Sequence, residues 1–387
     1  MLKTTLSLSF VAFFLGIAIG QYQVGHTTIT FNDPSRTGGF GSGGGTGRQI
    51  QTEIYYPATT AGDNVAASSG TFPVIVFGHG FAMSWDAYTN IWEHFVPMGY
   101  IMAFPRTEGS LIPSPSHSDF GLDLAWVEQL MHAENVSSSS ILYQHVHANS
   151  AIMGHSMGGG ASILAAQNNT NIKTVVGLAP AETTPSAISA APSVSVPAVI
   201  YSGSSDGVTP PADHHIPIYN GLASACKTFV SIIGGAHCYF ANSNFNCDFG
   251  ETTSSTGISI TRDQQQATTF ASLDLWFDYI LKGNASSLNT FLNELNSTPA
   301  SEAIPETTCT STAIVGEMAM YFEVLFPNPV EDQLVLPFEQ FTSYRLLDAQ
   351  GKLLVNDVFN GVVDVQFLEK GVYFIRSDRG NFTFIKD

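Results

Sequence analysis

Charge is scarce in this 387-residue chain. Only 12% of its residues are charged, and 14 Lys and Arg stand against 32 Asp and Glu, a formal net charge of −18. So few cations argue against nucleic acid and anionic membrane surfaces as partners. Cysteine is limited to Cys226, Cys238, Cys247 and Cys309, and no C-x-x-C or H-E-x-x-H spacing occurs. No metal site is therefore expected. The Gly-rich stretch 37–47 lacks the Lys-Ser/Thr ending of a phosphate loop and opens no helix, so no cofactor is expected either. Beyond residue 20, no apolar run reaches the length of a membrane span.

What is present suits a large core, with 44% hydrophobic residues. Residues 1–20 combine a basic start at Lys3, an apolar run over 6–19 and small residues before Gln21. That is the pattern of a cleaved secretory signal peptide, and it predicts a soluble mature protein outside the cytoplasm. Four cysteines suit an oxidising compartment and allow three pairings. The short loop between Cys238 and Cys247 favours that pair, leaving Cys226 with Cys309.

The chain then reads as alternating strands and helices. Strands are expected over 49–56, 73–77, 100–104, 152–155, 173–178, 196–201 and 227–233. Between them, 85–96 has a helical period, and Ser118 is placed to cap a helix ending near Ala133. A long amphipathic helix follows over 260–281 and a short one over 288–295. Strand, helix, strand repeated this way gives an α/β fold with a mostly parallel sheet and helices on both faces. A Ser/Thr/Pro-rich linker is expected over 297–321. From 322 to 387, short alternating runs punctuated by Gly351, Gly361, Gly371 and Gly380 predict a small all-β sandwich. Residues 21–296 would form the main domain.

Chemistry concentrates at Gly154-His155-Ser156-Met157-Gly158, which follows an apolar run and opens a helical one. This is a nucleophile elbow: a serine projects from a sharp turn whose neighbours two positions away lack a Cβ. A serine needs an imidazole base, and the base a carboxylate to fix its tautomer. Asp206 follows the 196–201 strand and His237 the 227–233 strand, each beyond the strand's C-terminal end, where ligands meet such sheets. Asp213 and Glu182 compete with Asp206. His214 and His215 compete with His237, but start a helix and are expected to face solvent. His155 is too close to its own neighbour, and His79, His145 and His147 read as structural. The oxyanion donors expected are the N–H groups of Phe81, in the Gly78-His79-Gly80-Phe81 loop, and of Met157.

With these motifs in view, residues 48–283 resemble the α/β-hydrolase superfamily, and within it the secreted cutinase and poly(ethylene terephthalate) hydrolase group. The resemblance rests on residues 154–160, on Pro217-Ile218-Tyr219 and on Gly234-Gly235-Ala236-His237. It implies Ser156 as nucleophile, His237 as base, Asp206 as orienting acid, and substrate contact by the Phe81 ring. That group carries a tryptophan after the strand following the elbow; here Thr184 stands near its place, and Trp85, Tyr239 or Phe240 are candidate substitutes. In that group a disulfide joins the acid loop to the histidine loop, but this acid loop has no cysteine. Phe326-Pro327-Asn328-Pro329-Val330 and Lys370-Gly371-Val372-Tyr373-Phe374 resemble a type IX secretion sorting domain, which implies engagement of that export machinery and removal of the tail.

Two readings follow. One is an exported, monomeric serine ester hydrolase acting on carboxylic esters, with polyesters of the cutin or poly(ethylene terephthalate) type ahead of short-chain esters or lipids. The other is a catalytically idle surface-binding module. Intact triad and oxyanion candidates favour the enzyme.

Overall fold

The computed structural model describes residues 22–299, 302–310, 329–335, 344–348, 353–357, 362–377 and 380–387. The expected signal peptide, residues 311–321 of the expected linker, and Phe326-Pro327-Asn328 lie outside them. The chain divides into two units, residues 1–311 and 312–387.

The larger unit is built on one sheet of eleven strands. Its strands are β1 Gln23–Asp33, β2 Gly39–Phe40, β3 Arg48–Ala58, β4 Gly62–Asp63, β5 Phe72–Gly78, β6 Ile101–Pro105, β7 Val146–His155, β8 Thr174–Leu178, β9 Ala198–Gly203, β10 Lys227–Ile232 and β11 Ala303–Thr307. They run in the order β11-β10-β9-β8-β7-β5-β6-β3-β1-β4, with β2 beside β3. Pairing is parallel from β10 through to β6, and antiparallel where β11, β3 and β1 join. Every residue of β5, β6, β8 and β9 is buried. Parallel strands covered on both faces need such unbroken apolar runs, which is how the sequence marked them.

The helices are α1 Thr89–Phe95, α2 His117–Glu134, α3 Met157–Ala166, α4 Ala187–Ala190, α5 His215–Gly221, α6 Phe245–Ser254, α7 Arg262–Ile280 and α8 Ala285–Ser297. On one face, Val74, Val76, Ile101, Ala103, Ile152 and Val175 share a core with Phe120, Leu124 and Val127 of α2 and Ala161 of α3. On the other, Tyr201 bonds Ser272 of α7, Trp276 of α7 donates to Thr174, and Phe95 of α1 packs edge-on to Phe277. The mostly parallel α/β sheet with helices on both faces is therefore present.

Several local expectations are corrected. Strand β1 lies ahead of the first expected strand, and its mixed burial is that of a strand with one wet face. Residues 85–96 are not one helix: a 3₁₀ turn over Trp85–Tyr88 precedes α1. The cap of α2 is Ser116, whose hydroxyl accepts from Asp119 N–H, rather than Ser118. Part of the expected linker is a strand: β11 closes the sheet edge against β10, and Cys309 just beyond it is bridged to Cys226. A chain end before Ala303 would remove both. Polar residues 242–246, expected as a loop, lead into α6, where the Asn244 side chain caps the N–H groups of Asn246 and Cys247.

The smaller unit contains β12 Gln333–Val335, β13 Tyr344–Leu347, β14 Leu353–Asp357, β15 Val362–Asp364, β16 Gly371–Ser377 and β17 Gly380–Lys386. They form two small antiparallel sheets, β12-β15 and β14-β13-β16-β17. Val330, Leu334, Leu346, Val363, Ile375 and Phe384 fill the core.

Candidate active site

Strand β7 ends at His155 and α3 begins at Met157, so Ser156 alone makes the turn. Its backbone sits at φ 56°, ψ −121°, a region that costs a non-glycine residue roughly 1–3 kcal/mol. Bonds on both sides hold it there: its N–H donates to Leu178 O, and its carbonyl accepts from Gly160 and Ala181 N–H. Ala82, Glu108 and Ala179 share the left-handed region. They follow β5, β6 and β8, so strained backbone gathers at the edge where Ser156 stands.

Asp206 lies in the turn after β9 and His237 in the loop after β10. His237 Nδ1 donates to Asp206 Oδ2 at 2.7 Å. Both side chains are buried. The carboxylate is saturated: Oδ1 accepts from Val208 and Thr209 N–H at 2.9 and 2.8 Å, and Oδ2 also accepts from the Thr209 hydroxyl at 3.0 Å. Burial pushes its pKa up, but the His237 charge and hydrogen bond, His215 and Thr209 N–H outweigh it, and the net shift is downward. The group stays an anion, with His237 Nε2 left as the free end of the ring. Among the described residues, no hydrogen bond joins Ser156 Oγ to that nitrogen; such contacts are commonly long before substrate binds.

Other bonds tie the elbow to its neighbours. Gly80 N–H donates to Tyr88 Oη at 2.8 Å, and Tyr88 lies 2.9 Å from His155 Nδ1. His155 Nε2 is 3.0 Å from His237 O, an acceptor, so the proton sits on Nε2 and Tyr88 donates to Nδ1. One directed chain thus runs from the loop after β5, through the elbow, to the His237 backbone. Gln265 of α7 brackets Ala236 through both its N–H and its carbonyl, at 2.8 Å each, and Glu251 of α6 accepts from Cys238 N–H. Cys238 is bridged to Cys247. Among the described residues, neither Phe81 N–H nor Met157 N–H donates a hydrogen bond. Both are therefore open to an incoming oxygen.

The rival candidates separate by contact. Glu182 accepts from Ile188 N–H, and His214 Nδ1 accepts from Glu182 N–H, so both act within the backbone after β8. His79 is buried between the carbonyls of Gly80 and Thr107. His215 corrects its expectation: it is not solvent-facing but fully buried. Its Nε2 lies 3.0 Å from Thr209 Oγ1 and its Nδ1 2.8 Å from Ser202 Oγ. With the Thr209 proton on Asp206, His215 Nε2–H donates to Thr209 and Ser202 donates to Nδ1, a consistent neutral ring. Trp85 is half-buried, its N–H on Tyr55 Oη and the Arg106 guanidinium over its face. Thr184 is exposed, with its N–H on His117 Nδ1. Thr209 and Tyr88 carry no role in the expectations from sequence, and His215 stands there only as a solvent-facing rival of His237. Thr209 alone left a signal, a hydroxyl three residues after an aspartate in a turn.

The buried neutral rings set an acid limit. Burial pulls His155 well below the usual imidazole range and His215 to about 3. In the unfolded chain both titrate near 6.5. Below that pH the unfolded chain binds protons that the folded one does not. Each ring should then remove about 1.4 kcal/mol of stability per pH unit, down to about pH 3 for His215. Denaturant melts at falling pH should show this slope, and His215→Gln should reduce it by the share of one ring. An unchanged slope in that variant would contradict the assignment.

Residues 12–260 match the PET hydrolase-like family, and residues 324–387 match the secretion system C-terminal sorting domain. A bis(hydroxyethyl) terephthalate hydrolase from Streptomyces coelicolor is 26% identical over 219 residues, 56% of this chain and 61% of that protein. Cutinase 1 of Thermobifida cellulosilytica is 26% identical over 221 residues, 57% of this chain and 75% of that protein. A cutinase from Thermobifida fusca is likewise 26% identical over 221 residues, covering 65% of its length. The chain thus spans less than two thirds of the length of the Streptomyces enzyme. No described helix is long and apolar enough to cross a membrane. The parallel sheet, the strained serine turn and the profile match over 12–260 agree: the chain belongs to the PET hydrolase-like family.

Proposed function

We propose that the protein is an exported serine hydrolase of carboxylic esters, acting on polyesters of the cutin or poly(ethylene terephthalate) type. The observation that carries this reading is the buried, saturated Asp206–His237 pair at the sheet edge that holds Ser156 in a strained turn. The named activities of the relatives support the ester class, and the sorting-domain match over 324–387 implies export to the cell surface or beyond.

In this mechanism Ser156 Oγ attacks the ester carbonyl while His237 Nε2 takes its proton. The carbonyl oxygen becomes an oxyanion, which the N–H groups of Phe81 and Met157 receive. The tetrahedral intermediate expels the alcohol, protonated by His237, and leaves an acyl-serine. Water then gives a proton to His237 and attacks the acyl carbon; the acyl–Oγ bond breaks, His237 returns the proton to Ser156 Oγ, and the acid leaves. Asp206 holds the ring with Nδ1–H inward throughout and stabilises the transient imidazolium.

A fluorophosphonate should label Ser156, and peptide mapping should find the adduct there alone. Ser156→Ala should lose about 10⁶-fold in kcat on a p-nitrophenyl acyl ester. An adduct on another serine, or turnover surviving in the variant, would overturn the assignment.

A further inference from the structure

Helix α6 presents two large apolar rings to solvent. Phe245 is 83% exposed and Phe249 63%, one helical turn apart, with ring centroids 6.4 Å apart and planes 23° from parallel. Exposed apolar rings held together in this way mark an interaction surface. Phe81, the oxyanion-loop residue, is 49% exposed.

The helix is fixed to both loops that flank Ser156. Cys247 is bridged to Cys238, the residue after His237. Asn246 Nδ2 donates to Ala82 O at 2.8 Å, on the residue after Phe81. Arg262 of α7 pairs with Asp248 at 2.7 Å. The rings are thus continuous with the candidate catalytic edge. Their surroundings are also uncharged: residues 239–247 contain no Asp, Glu, Lys or Arg, in a chain of net charge −18. Asp248 is neutralised by Arg262, and Glu251 is buried on Cys238 N–H. A neutral, ring-bearing occupant fits this face, and a charged one does not. The loop after β8 supplies no tryptophan, so these rings stand as the available stacking surface.

We propose that Phe245 and Phe249, with Phe81, form an aromatic platform that docks the surface of a solid aromatic polyester beside Ser156. The proposal rests on the ester-hydrolase reading for its substrate, but its binding test does not depend on turnover. Adsorption of the Ser156→Ala protein to poly(ethylene terephthalate) film is compared with the same protein also carrying Phe245→Ser and Phe249→Ser. Loss of two stacking rings should raise the half-saturating concentration about tenfold. On the active background, the ratio of film hydrolysis to p-nitrophenyl acetate turnover should fall by a similar factor. Because both rings are exposed, the melting temperature should stay unchanged, and each single substitution should give an intermediate loss. Unchanged adsorption overturns the proposal. So does an equal loss on film and soluble ester. A change from dimer to monomer on removing the rings would assign the face to a second copy of the chain. Lost binding to neutral phospholipid vesicles with film adsorption intact would assign it to lipid. Absence of any ester turnover in the parent protein would sink the hydrolase reading while the adsorption result still decides the platform.

Discussion

Asp206→Asn should lower kcat on a soluble ester by about 10⁴-fold. The geometry fixes the direction. Oδ1 receives the N–H groups of Val208 and Thr209, so an asparagine in its place would keep its amide oxygen on that side. Its NH₂ would then face His237 Nδ1, at the position where Oδ2 now accepts at 2.7 Å. Two donors cannot meet, so the imidazole would move its proton to Nε2, and the lone pair that should activate Ser156 would be gone. Thr209→Val provides the contrast. It removes a hydroxyl from Oδ2, and with it the acceptor of His215 Nε2–H, but leaves the carboxylate and both backbone donors, so its cost in kcat should be about tenfold, the scale of one hydrogen bond to a charged group. Steady-state kinetics of both variants decide the matter. An Asp206→Asn enzyme retaining more than a tenth of its kcat would show that Asp206 does not set the tautomer.

The strand ends carrying Ser156 and Asp206 were legible because each follows an apolar run, Ala151-Ile152-Met153 and Ala198-Val199-Ile200-Tyr201, and His237 was legible from its place after the more mixed strand Lys227–Ile232. The supporting contacts were not. His215 lies at the start of a helix only seven residues long, too short for a periodic trace of burial, and only the fold brings it onto Thr209. Tyr88 reaches His155 across 67 positions, a contact that no spacing encodes.

The same division holds for the fold. Buried parallel strands announce themselves by composition, whereas the sheet's margins do not. Strand β1 alternates between wet and buried positions, and β11 reads Ala303-Ile304-Pro305-Glu306-Thr307, with a proline that argues against a central strand. That proline is compatible with an edge, which is where β11 lies. Helix α6 was missed because its sequence is rich in Asn, Thr and Gly, weak helix formers; the Asn244 cap and the Cys247 bridge secure it instead.

Gly158→Ala should abolish activity and lower stability by about 4 kcal/mol or more, roughly 10 °C in melting temperature. A Cβ at Gly158 would lie 2.6 Å from His79 O and closer still to Gly78 O. Those are backbone atoms at the end of β5, and they cannot swing aside as a side-chain tip could. Gly154 is blocked in the same way, its Cβ 2.8 Å from Gly159 N and nearer to Gly158 O. The elbow therefore packs main chain against main chain, and the same contact fixes where the Gly80–Phe81 loop lies relative to Ser156. Any added carbon must push the loop off the turn, moving the proposed oxyanion donors together with the strained serine. Gly250→Ala in α6 is the matched control. A Cβ there meets nothing within 4 Å, and the substitution should be neutral or stabilise by roughly 0.5–1 kcal/mol through helix propensity. Thermal melts and soluble-ester kinetics on the pair separate a steric requirement at the elbow from a general cost of replacing glycine. A Gly158→Ala protein with parental melting temperature and activity would mean that the loop after β5 is free to move, and that it does not fix the oxyanion site.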